Sequence, residues 1–397
     1  MQTPVTVAAL CAVGAEKVVS NELRKLGLSI LDSGFGKVRF SADVAGIYRA
    51  LMALRAADRL LLETALFEAM DFDALFDGVK AVPWEDLIPR GMGLRITKVR
   101  SNRSRLKAAT SIQAIVHKAA AERLCAAHKI RRLPEGEKIA ELRVYVEKDQ
   151  VSLLLDLSGE PLFKRGYRSE AGAAPLRETT AAAILLLANW RRKFPLYDPF
   201  CGSGTIIIEA AMYAWDLAPG LGRPFAIQDL RIADREAEKM VRAELLAKVN
   251  FERTIRICGS DADSRAVSIA RSNALRAFDL ACGKIPQRGV RLDTPDGGAG
   301  SALPEIKALP MKDAHASSAE TGFILTNPPY GKRLGSPEES EAIYSEMAGL
   351  CRSFPGWKLA LITDHPGFES FFGKKADSCR EITNGAIPSY FFQYESL

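Results

Sequence analysis

Three short motifs in the second half of the chain carry the residue types that can do chemistry. They are DPFCGSGT at residues 198–205, GSDAD at 259–263 and NPPYG at 327–331. Glycines let a backbone approach a ligand closely, and the acids Asp198 and Asp261 can hold cationic or hydroxyl-bearing groups. The spacing is neither the dinucleotide fingerprint G-x-G-x-x-G nor a phosphate-binding loop. The pattern therefore predicts a nucleotide-like cofactor, with Asp261 on its ribose diol.

The third motif is suited to holding a planar amine. Two prolines restrict the backbone after the apolar run that leads to Asn327, so the Asn327 carboxamide oxygen and the Pro328 carbonyl can each accept one amine hydrogen. Pro329 stiffens the same turn, and Tyr330 offers a face on which a base can stack. These four residues are the predicted catalytic group, and they act by positioning and electrostatics. A proline-rich turn without a catalytic role is the alternative for the motif taken alone.

Alternating strand-like and helix-like segments must position these motifs. They run from about residue 175 to the C-terminus, where two strand-like runs flank an Asn384-Gly385 turn. This order predicts an α/β fold, a Rossmann-like and mostly parallel sheet with a C-terminal β-hairpin. Ligands of such sheets bind beyond the carboxyl ends of the strands, so the motifs should meet at one edge. The segment 283–305 is rich in Gly and Pro and is predicted to be a loop.

The first half of the chain predicts two small α+β units, at residues 1–65 and 66–157. A polar and basic segment at 158–174 reads as a linker to the sheet domain at 175–397. Within the second unit, AELRVYVEKDQVSLLLDLSG predicts a hairpin that turns near Lys148 to Gln150.

Positive charge is concentrated between Arg90 and Arg132, where Glu122 is the only acid. A basic cluster with short hydroxyl and amide side chains suits phosphate contacts, although a solvated basic face is the common alternative. The predicted RNA-binding residues are Arg95, Lys98, Arg100, Arg103, Arg105 and Lys107, together with Lys164, Arg165 and Arg168 of the linker sequence KRGYR.

Composition excludes several other classes. The 397 residues carry a net charge of +6 and are 47% hydrophobic, as in a globular protein with a substantial core. The seven cysteines are dispersed without a CxxC pair and the four histidines lack metal-ligand spacing, so we expect neither a disulfide scaffold nor a metal site. The longest apolar stretch, residues 181–190, is about half of the ~20 residues that a membrane span needs. We expect a cytoplasmic protein.

The three motifs in this order resemble those of the class I S-adenosylmethionine-dependent amino-methyltransferases. The N-terminal block and the segment LFKRGYR are similar to the bacterial THUMP-containing RNA methyltransferases that make N2-methylguanosine in 23S rRNA or tRNA. The resemblance covers essentially the whole chain. It implies a ferredoxin-like domain at 1–65, a THUMP RNA-binding domain at 66–157 and a methyltransferase domain at 175–397.

The resemblance also implies a role for individual residues. S-adenosylmethionine would be the cofactor, with Asp261 on its ribose and Asp313 on its adenine amine. The methionine end would meet Asp198, Phe200, Gly202, Gly204 and Thr205, and Pro175 and Arg177 would lie on the helix behind the cofactor.

Three alternatives to a 23S rRNA enzyme stay open: a tRNA guanine-N2 methyltransferase, a DNA adenine-N6 methyltransferase, and an RNA-binding assembly factor without activity. Two departures from relatives affect the target side. Leu230 stands in RPFAIQDL where many relatives have Trp, and the loop at 283–305 is longer than usual. The modified nucleotide and the oligomeric state are left open.

Overall fold

The first half of the chain forms one mixed sheet with helices on one face. The computed structural model describes residues 3–168, 176–281, 303–316, 320–329 and 337–397. The strands are β1 (Val5–Cys11), β2 (Ser29–Gly34), β3 (Lys37–Ala42), β4 (Ala57–Glu68), β5 (Gly93–Asn102), β6 (Ile139–Glu147) and β7 (Gln150–Asp156). The helices are α1 (Glu16–Lys25), α2 (Val44–Ala53), α3 (Phe72–Ala81) and α4 (Ala109–His128).

The strand order of this first sheet is β2-β3-β1-β4-β7-β6-β5. All neighbours are antiparallel except β5 and β6. The predicted hairpin is confirmed, since β6 and β7 pair from Leu142 to Glu147. Lys148 and Asp149 both have positive φ in its turn, as a tight two-residue hairpin turn requires.

The predicted boundary at residue 65 falls inside β4. This strand of 12 residues pairs with β1 on one side and with β7 on the other. The two predicted α+β units therefore share one hydrogen-bonded sheet. Local periodicity shows that a segment is a strand, but it does not show which strands pair at long range.

The second half forms a sheet that is flanked by helices and ends in a hairpin. The strands are β8 (Leu196–Asp198), β9 (Ile257–Asp261), β10 (Glu305–Ala308), β11 (Phe323–Thr326), β12 (Lys358–Thr363), β13 (Ser378–Asn384) and β14 (Ile387–Tyr394). The helices are α5 (Glu178–Leu187), α6 (Thr205–Ala214), α7 (Arg235–Leu246), α8 (Ser264–Ala281), α9 (Pro337–Met347), α10 (Leu350–Ser353) and α11 (Phe368–Phe372).

The order of this second sheet is β10-β9-β8-β11-β12-β14-β13. The first five strands are parallel, and β14 and β13 add an antiparallel edge. The predicted Rossmann-like sheet with its C-terminal hairpin is confirmed. The strand order reverses between β8 and β11, whose carboxyl ends carry Asp198 and Asn327.

The two halves are packed together through a shared interior. One continuous hydrophobic core holds residues of both, including Met52 and Leu157 from the first half and Met212 and Ile227 from the second. Backbone hydrogen bonds also cross between them, from Gly220 N–H to the Met52 carbonyl at 2.8 Å and from Ile227 N–H to the Leu157 carbonyl at 3.1 Å. In the described ranges, no helix is both long and apolar enough to cross a bilayer.

Candidate active site

The carboxyl ends of the parallel strands surround a cavity of about 780 Å³. Its wall includes seven of the residues that the motifs singled out: Asp198, Phe200, Gly202, Thr205, Asp261, Asn327 and Pro329. The structure thus brings all three motifs to one site, as the strand-end argument predicts.

A glycine-containing turn between β8 and α6 forms one wall of the cavity. Gly202 has φ of 51°, and a Cβ built on it would meet nothing within 4 Å. Gly204 has φ of 86° and immediately precedes α6, and a Cβ there would lie 3.2 Å from Ala270. Both glycines are required by their backbone conformation, but Gly202 lines the cavity whereas Gly204 packs against α8.

Asp261 is fixed at the end of β9 by two backbone amides. Gly202 N–H donates to Asp261 Oδ2 at 2.9 Å and Asp263 N–H donates to Oδ1 at 2.9 Å. Each oxygen keeps a second lone pair for a ligand hydroxyl. The carboxylate also ties the β8 turn to β9, so that one group shapes two walls of the site.

Asp198 is buried beneath the same turn. Its side chain accepts hydrogen bonds from the Thr326 hydroxyl at 2.6 Å and from Phe200 N–H at 3.1 Å. Burial raises the pKa of Asp198 to about 7, with a smaller contribution from the Asp261 charge, while the two hydrogen bonds act in the opposite direction. A cation in the cavity would favour the ionised carboxylate. Thr326 was not singled out from the sequence; the one polar residue of the FILT strand is the signal that would have found it.

Asn327 follows β11 and is 7% exposed. Its carboxamide oxygen is buried and has no hydrogen-bond partner among the described residues. A buried acceptor without a partner costs free energy unless a ligand satisfies it. Pro328 is buried beside it and Pro329 lines the cavity. Tyr330 lies outside the described residues.

The residue predicted to contact the adenine amine, Asp313, does not line the cavity. Pro310, Met311 and Lys312 line the cavity after β10, whereas Asp313 is exposed and lies outside the lining. Helices α8 and α9 add further lining residues that the motifs did not indicate: Arg265, Ala266, Ile269, Ile343 and Glu346.

Two residues of the linker sequence KRGYR belong to the interior. The Arg165 side chain is 2% exposed, donates to the carbonyls of Leu162 and Arg55, and pairs with Glu209 at 3.4 Å. Tyr167 is also buried, and its hydroxyl donates to the same Glu209 carboxylate. The prediction that Arg165 contacts RNA is therefore wrong, because its charge is needed between the two halves of the protein.

Arg168 is directed to the cavity wall and not to the surface. Its Nη2 donates to Thr205 Oγ1 at 2.9 Å and to the Leu176 carbonyl at 3.1 Å, and Glu178 lies 3.6 Å away. Thr205 and Leu176 both line the cavity. Arg168 therefore holds the start of α6 in place, and this geometry does not support the predicted RNA contact. Lys164 is exposed and pairs with Glu160.

Arg177 faces the first half of the protein and does not line the cavity. It pairs with Asp58 at 3.3 Å and lies over the Phe163 ring at 4.7 Å. The structure therefore does not support the cofactor contact predicted for it. Pro175 lies outside the described residues.

The remaining predicted RNA contacts lie on the first sheet and in the loop after it. Arg95, Lys98, Arg100, Arg103, Arg105 and Lys107 are all exposed, and within the described ranges none forms an ion pair. Loop residues Ser104 and Arg105 bond to Asp149, through the hydroxyl and the backbone N–H respectively. The loop is thus held by Asp149 while its cationic side chains are free to meet a ligand.

Comparison with known proteins agrees with this site. Residues 165–280 and 302–391 match a family described as RMKL-like, methyltransferase domain, and residues 6–61 match the RlmL ferredoxin-like domain. A candidate RNA methyltransferase of Bacillus subtilis, YpsC, is 37% identical over 98% of this chain and 96% of its own length. The ribosomal RNA large subunit methyltransferase K/L of Syntrophotalea carbinolica is 32% identical over the whole chain, which spans only 54% of that relative.

Two solved structures are also similar to this chain over nearly its whole length. SMU.472, a candidate methyltransferase complexed with SAH, is 34% identical with a TM-score of 0.87, covering 100% of this chain and 99% of that one. A protein from Listeria monocytogenes, described as a predicted N6-adenine-specific DNA methylase, is 34% identical with a TM-score of 0.86, covering 99% and 97%. The fold, the strand-end cavity and these matches agree, and the chain belongs to the RMKL-like methyltransferase family.

Proposed function

We propose that this protein methylates the exocyclic N2 amine of a guanine in RNA, and that this RNA is 23S rRNA. The observation that carries the proposal is the buried Asn327 carboxamide oxygen, which has no partner among the described residues and lies in the wall of the same cavity as Asp198 and Asp261. An amine is the group that such an acceptor can hold.

The methyl donor is S-adenosylmethionine, and the cavity fits it. Asp261 offers fixed carboxylate oxygens to the ribose, Gly202 leaves open space where any other residue would place a Cβ, and the buried Asp198 suits a cationic methionine end. Bound there, S-adenosylmethionine would supply a methyl group on a positively charged sulfur, with S-adenosylhomocysteine as the leaving group and the amine proton released to water.

The protein's own residues act on the target amine. Asn327 Oδ1 and the Pro328 carbonyl accept its two hydrogens, which orients the nitrogen lone pair out of the plane of the base and towards the donor. The amine becomes acidic as it gains the carbon, so that no strong base is needed before transfer. Pro328 and Pro329 restrict the backbone and hold the acceptors in place before the base arrives. Tyr330 supplies a stacking face in this proposal.

The basic residues favour RNA as the substrate. Six exposed cations with no ion pair in the described ranges lie on β5 and in the loop to α4, and neutralising phosphates is the main source of nucleic-acid affinity. We propose that residues 66–157 form a THUMP RNA-binding domain. The names of the B. subtilis and S. carbinolica relatives support RNA and rRNA as substrates.

A DNA adenine-N6 methyltransferase is the second candidate, and the description of the L. monocytogenes neighbour favours it. The Asn-Pro-Pro-Tyr turn suits any exocyclic amine and does not separate the two. Nucleoside mass spectrometry on a strain that lacks the gene tests the choice. Loss of one N2-methylguanosine from 23S rRNA supports the proposal. An unchanged rRNA with loss of that nucleoside from tRNA, or of N6-methyladenine from DNA, would assign the substrate to the alternative.

A further inference from the structure

The outer face of the first sheet carries a cluster of cations and one aromatic ring along β5 and β6. On β6 the residues Leu142, Val144 and Val146 are buried in the core beneath the helices. Successive side chains of a strand point to opposite faces, so Arg143 and Tyr145 lie on the other face. Both are half-buried there.

A β-bulge brings three cations of β5 to this same face. The pairing register shifts between Ile96 and Lys98, so that Arg95 is opposite Glu141, Lys98 opposite Arg143 and Arg100 opposite Tyr145. In a regular strand, residues 95 and 98 would point to opposite faces. The extra residue at position 97 shifts the alternation of side chains by one residue. As a result, Arg95, Lys98 and Arg100 lie on the same face of the sheet.

Three of the positive charges on this face are adjacent to one another and have no acidic partner among the described residues. Lys98, Arg100 and Arg143 form no ion pair among the described residues, and Arg143 Nε is buried there without a hydrogen-bond partner. Burial, together with the charges of Arg100 and Arg143, lowers the pKa of Lys98. Two acids lie on this face of β6: Glu141 is opposite Arg95, and Glu147 is opposite Asn102, whose side-chain amide donates to it. Adjacent like charges destabilise a sheet, and an anionic ligand would relieve that repulsion.

Tyr145 is held in place by an apolar support. Its ring packs against a small cluster of Ala8, Leu61 and Leu154 on the same outer face. An aromatic ring that is fixed on one side and flanked by cations is the arrangement on which single-stranded nucleic acids stack. The loop with Arg103 and Arg105 directly continues β5, so the basic surface extends without a break from the sheet to the loop.

We propose that this face is a platform for a single-stranded segment of RNA. One base stacks on Tyr145, and the neighbouring phosphates contact Lys98, Arg100 and Arg143. The proposal deepens the proposed function and rests on RNA being the substrate. Double-stranded RNA does not fit, because its bases are stacked inside the helix and leave no free face for the ring.

The test measures binding of the full chain to a fluorescent single-stranded RNA of about 12 nucleotides and to a duplex of the same sequence. We expect Tyr145→Ala to weaken single-strand binding about tenfold, on the scale of losing one stacked base, and to leave duplex binding unchanged. Tyr145→Phe keeps the ring and should bind as the wild type does. Arg143→Gln should reduce the slope of log affinity against log salt by about 0.7. Lys239 is an exposed cation on α7, and Lys239→Gln is the matched control. It should change neither the single-strand affinity nor the salt slope.

Each variant is first checked for the wild-type melting temperature and for binding of S-adenosylmethionine. The proposal is wrong if Tyr145→Ala binds single-stranded RNA as tightly as the wild type does. It is also wrong if Arg143→Gln leaves the salt slope unchanged. Should Tyr145→Ala fail to fold, the Arg143→Gln slope decides by itself. Failure of the proposed function looks different, because RNA would then stay unmethylated whatever the platform binds.

Discussion

At the scale of single residues, the site depends on one buried oxygen and one buried carboxyl. Asn327 Oδ1 is withdrawn from water without a described partner, and Asp198 is held beside it by Thr326, the residue that precedes Asn327. The cofactor side and the target side of the cavity are thus joined by one hydrogen bond at neighbouring strand ends. A change at either residue should affect one ligand more than the other.

Asn327→Ala should reduce methyl transfer about 100-fold or more, because it removes an acceptor that is aligned with the reacting amine. Cofactor binding should survive, since Asp198, Gly202 and Asp261 are untouched. Single-turnover transfer and calorimetry with S-adenosylmethionine measure the two effects. Normal transfer in this variant would rule out the role of the carboxamide.

Asp198 should give cofactor binding a pH dependence. Burial raises the pKa of Asp198 to about 7, and a cationic ligand favours its ionised form, so binding releases a proton below that pH. Affinity should therefore rise with pH below about pH 7, by up to about tenfold per pH unit. Asp198→Asn should bind more weakly at pH 7 and lose this rise. The same rise in Asp198→Asn as in the wild type would assign it to another group.

At the scale of elements, a hydrogen bond from Arg168 of the linker stabilises the turn from β8 into α6. Arg168 joins Thr205 to the Leu176 carbonyl, and its charge offsets the effect of burial, which raises the pKa of Glu178. The linker thereby contacts the wall of the cavity. This contact connects the packing of the two halves to the shape of the cavity.

Arg168→Gln should weaken S-adenosylmethionine binding about tenfold, because Thr205 loses its donor and Glu178 its counter-charge. Arg168→Lys, which keeps the charge, should recover part of the affinity. Calorimetry gives the affinities and thermal melting gives the stability. A variant that melts earlier but binds the cofactor normally would show that Arg168 has a purely structural role.

The strand-end motifs could be predicted from the sequence because each depends on local order. An apolar run followed by Asp198, Asp261 or Asn327 is visible in the chain, and parallel strands bring such ends together. The shared first sheet could not be predicted in this way, since the pairing of β4 with β7 joins residues about 90 apart. The burial of Arg165 was missed for a similar reason, because its partner Glu209 lies on another element and KRGYR by itself reads as a basic surface segment.

At the scale of the whole molecule, the two halves are held together by buried charges as well as by the core. The Arg55 guanidinium donates to the Leu217 carbonyl at 2.6 Å, and the buried Arg165 side chain donates to the Arg55 carbonyl and pairs with Glu209. Unpairing a buried charge costs about 3–5 kcal/mol. The basic first sheet should therefore keep a fixed position relative to the cavity and present RNA to it in one orientation.

Charge reversal on this surface should change RNA binding through its salt dependence. Arg100→Glu with Arg103→Glu should weaken RNA binding and lower the slope of log affinity against log salt, because fewer counterions are released. Lys239→Glu, on α7, is the control. Titrations at several salt concentrations give the slopes. Equal slopes in all proteins would show that Arg100 and Arg103 belong to a solvated basic surface that does not bind RNA.

The most direct test of the account is to identify the product. The purified protein is incubated with isotopically labelled S-adenosylmethionine and with either unmodified 23S rRNA, tRNA or DNA, and the digested nucleosides are separated by mass spectrometry. We expect label in N2-methylguanosine from rRNA, and at least a 100-fold lower rate with Asn327→Ala. Label in N6-methyladenine from DNA, or none in any RNA, would contradict the central claim.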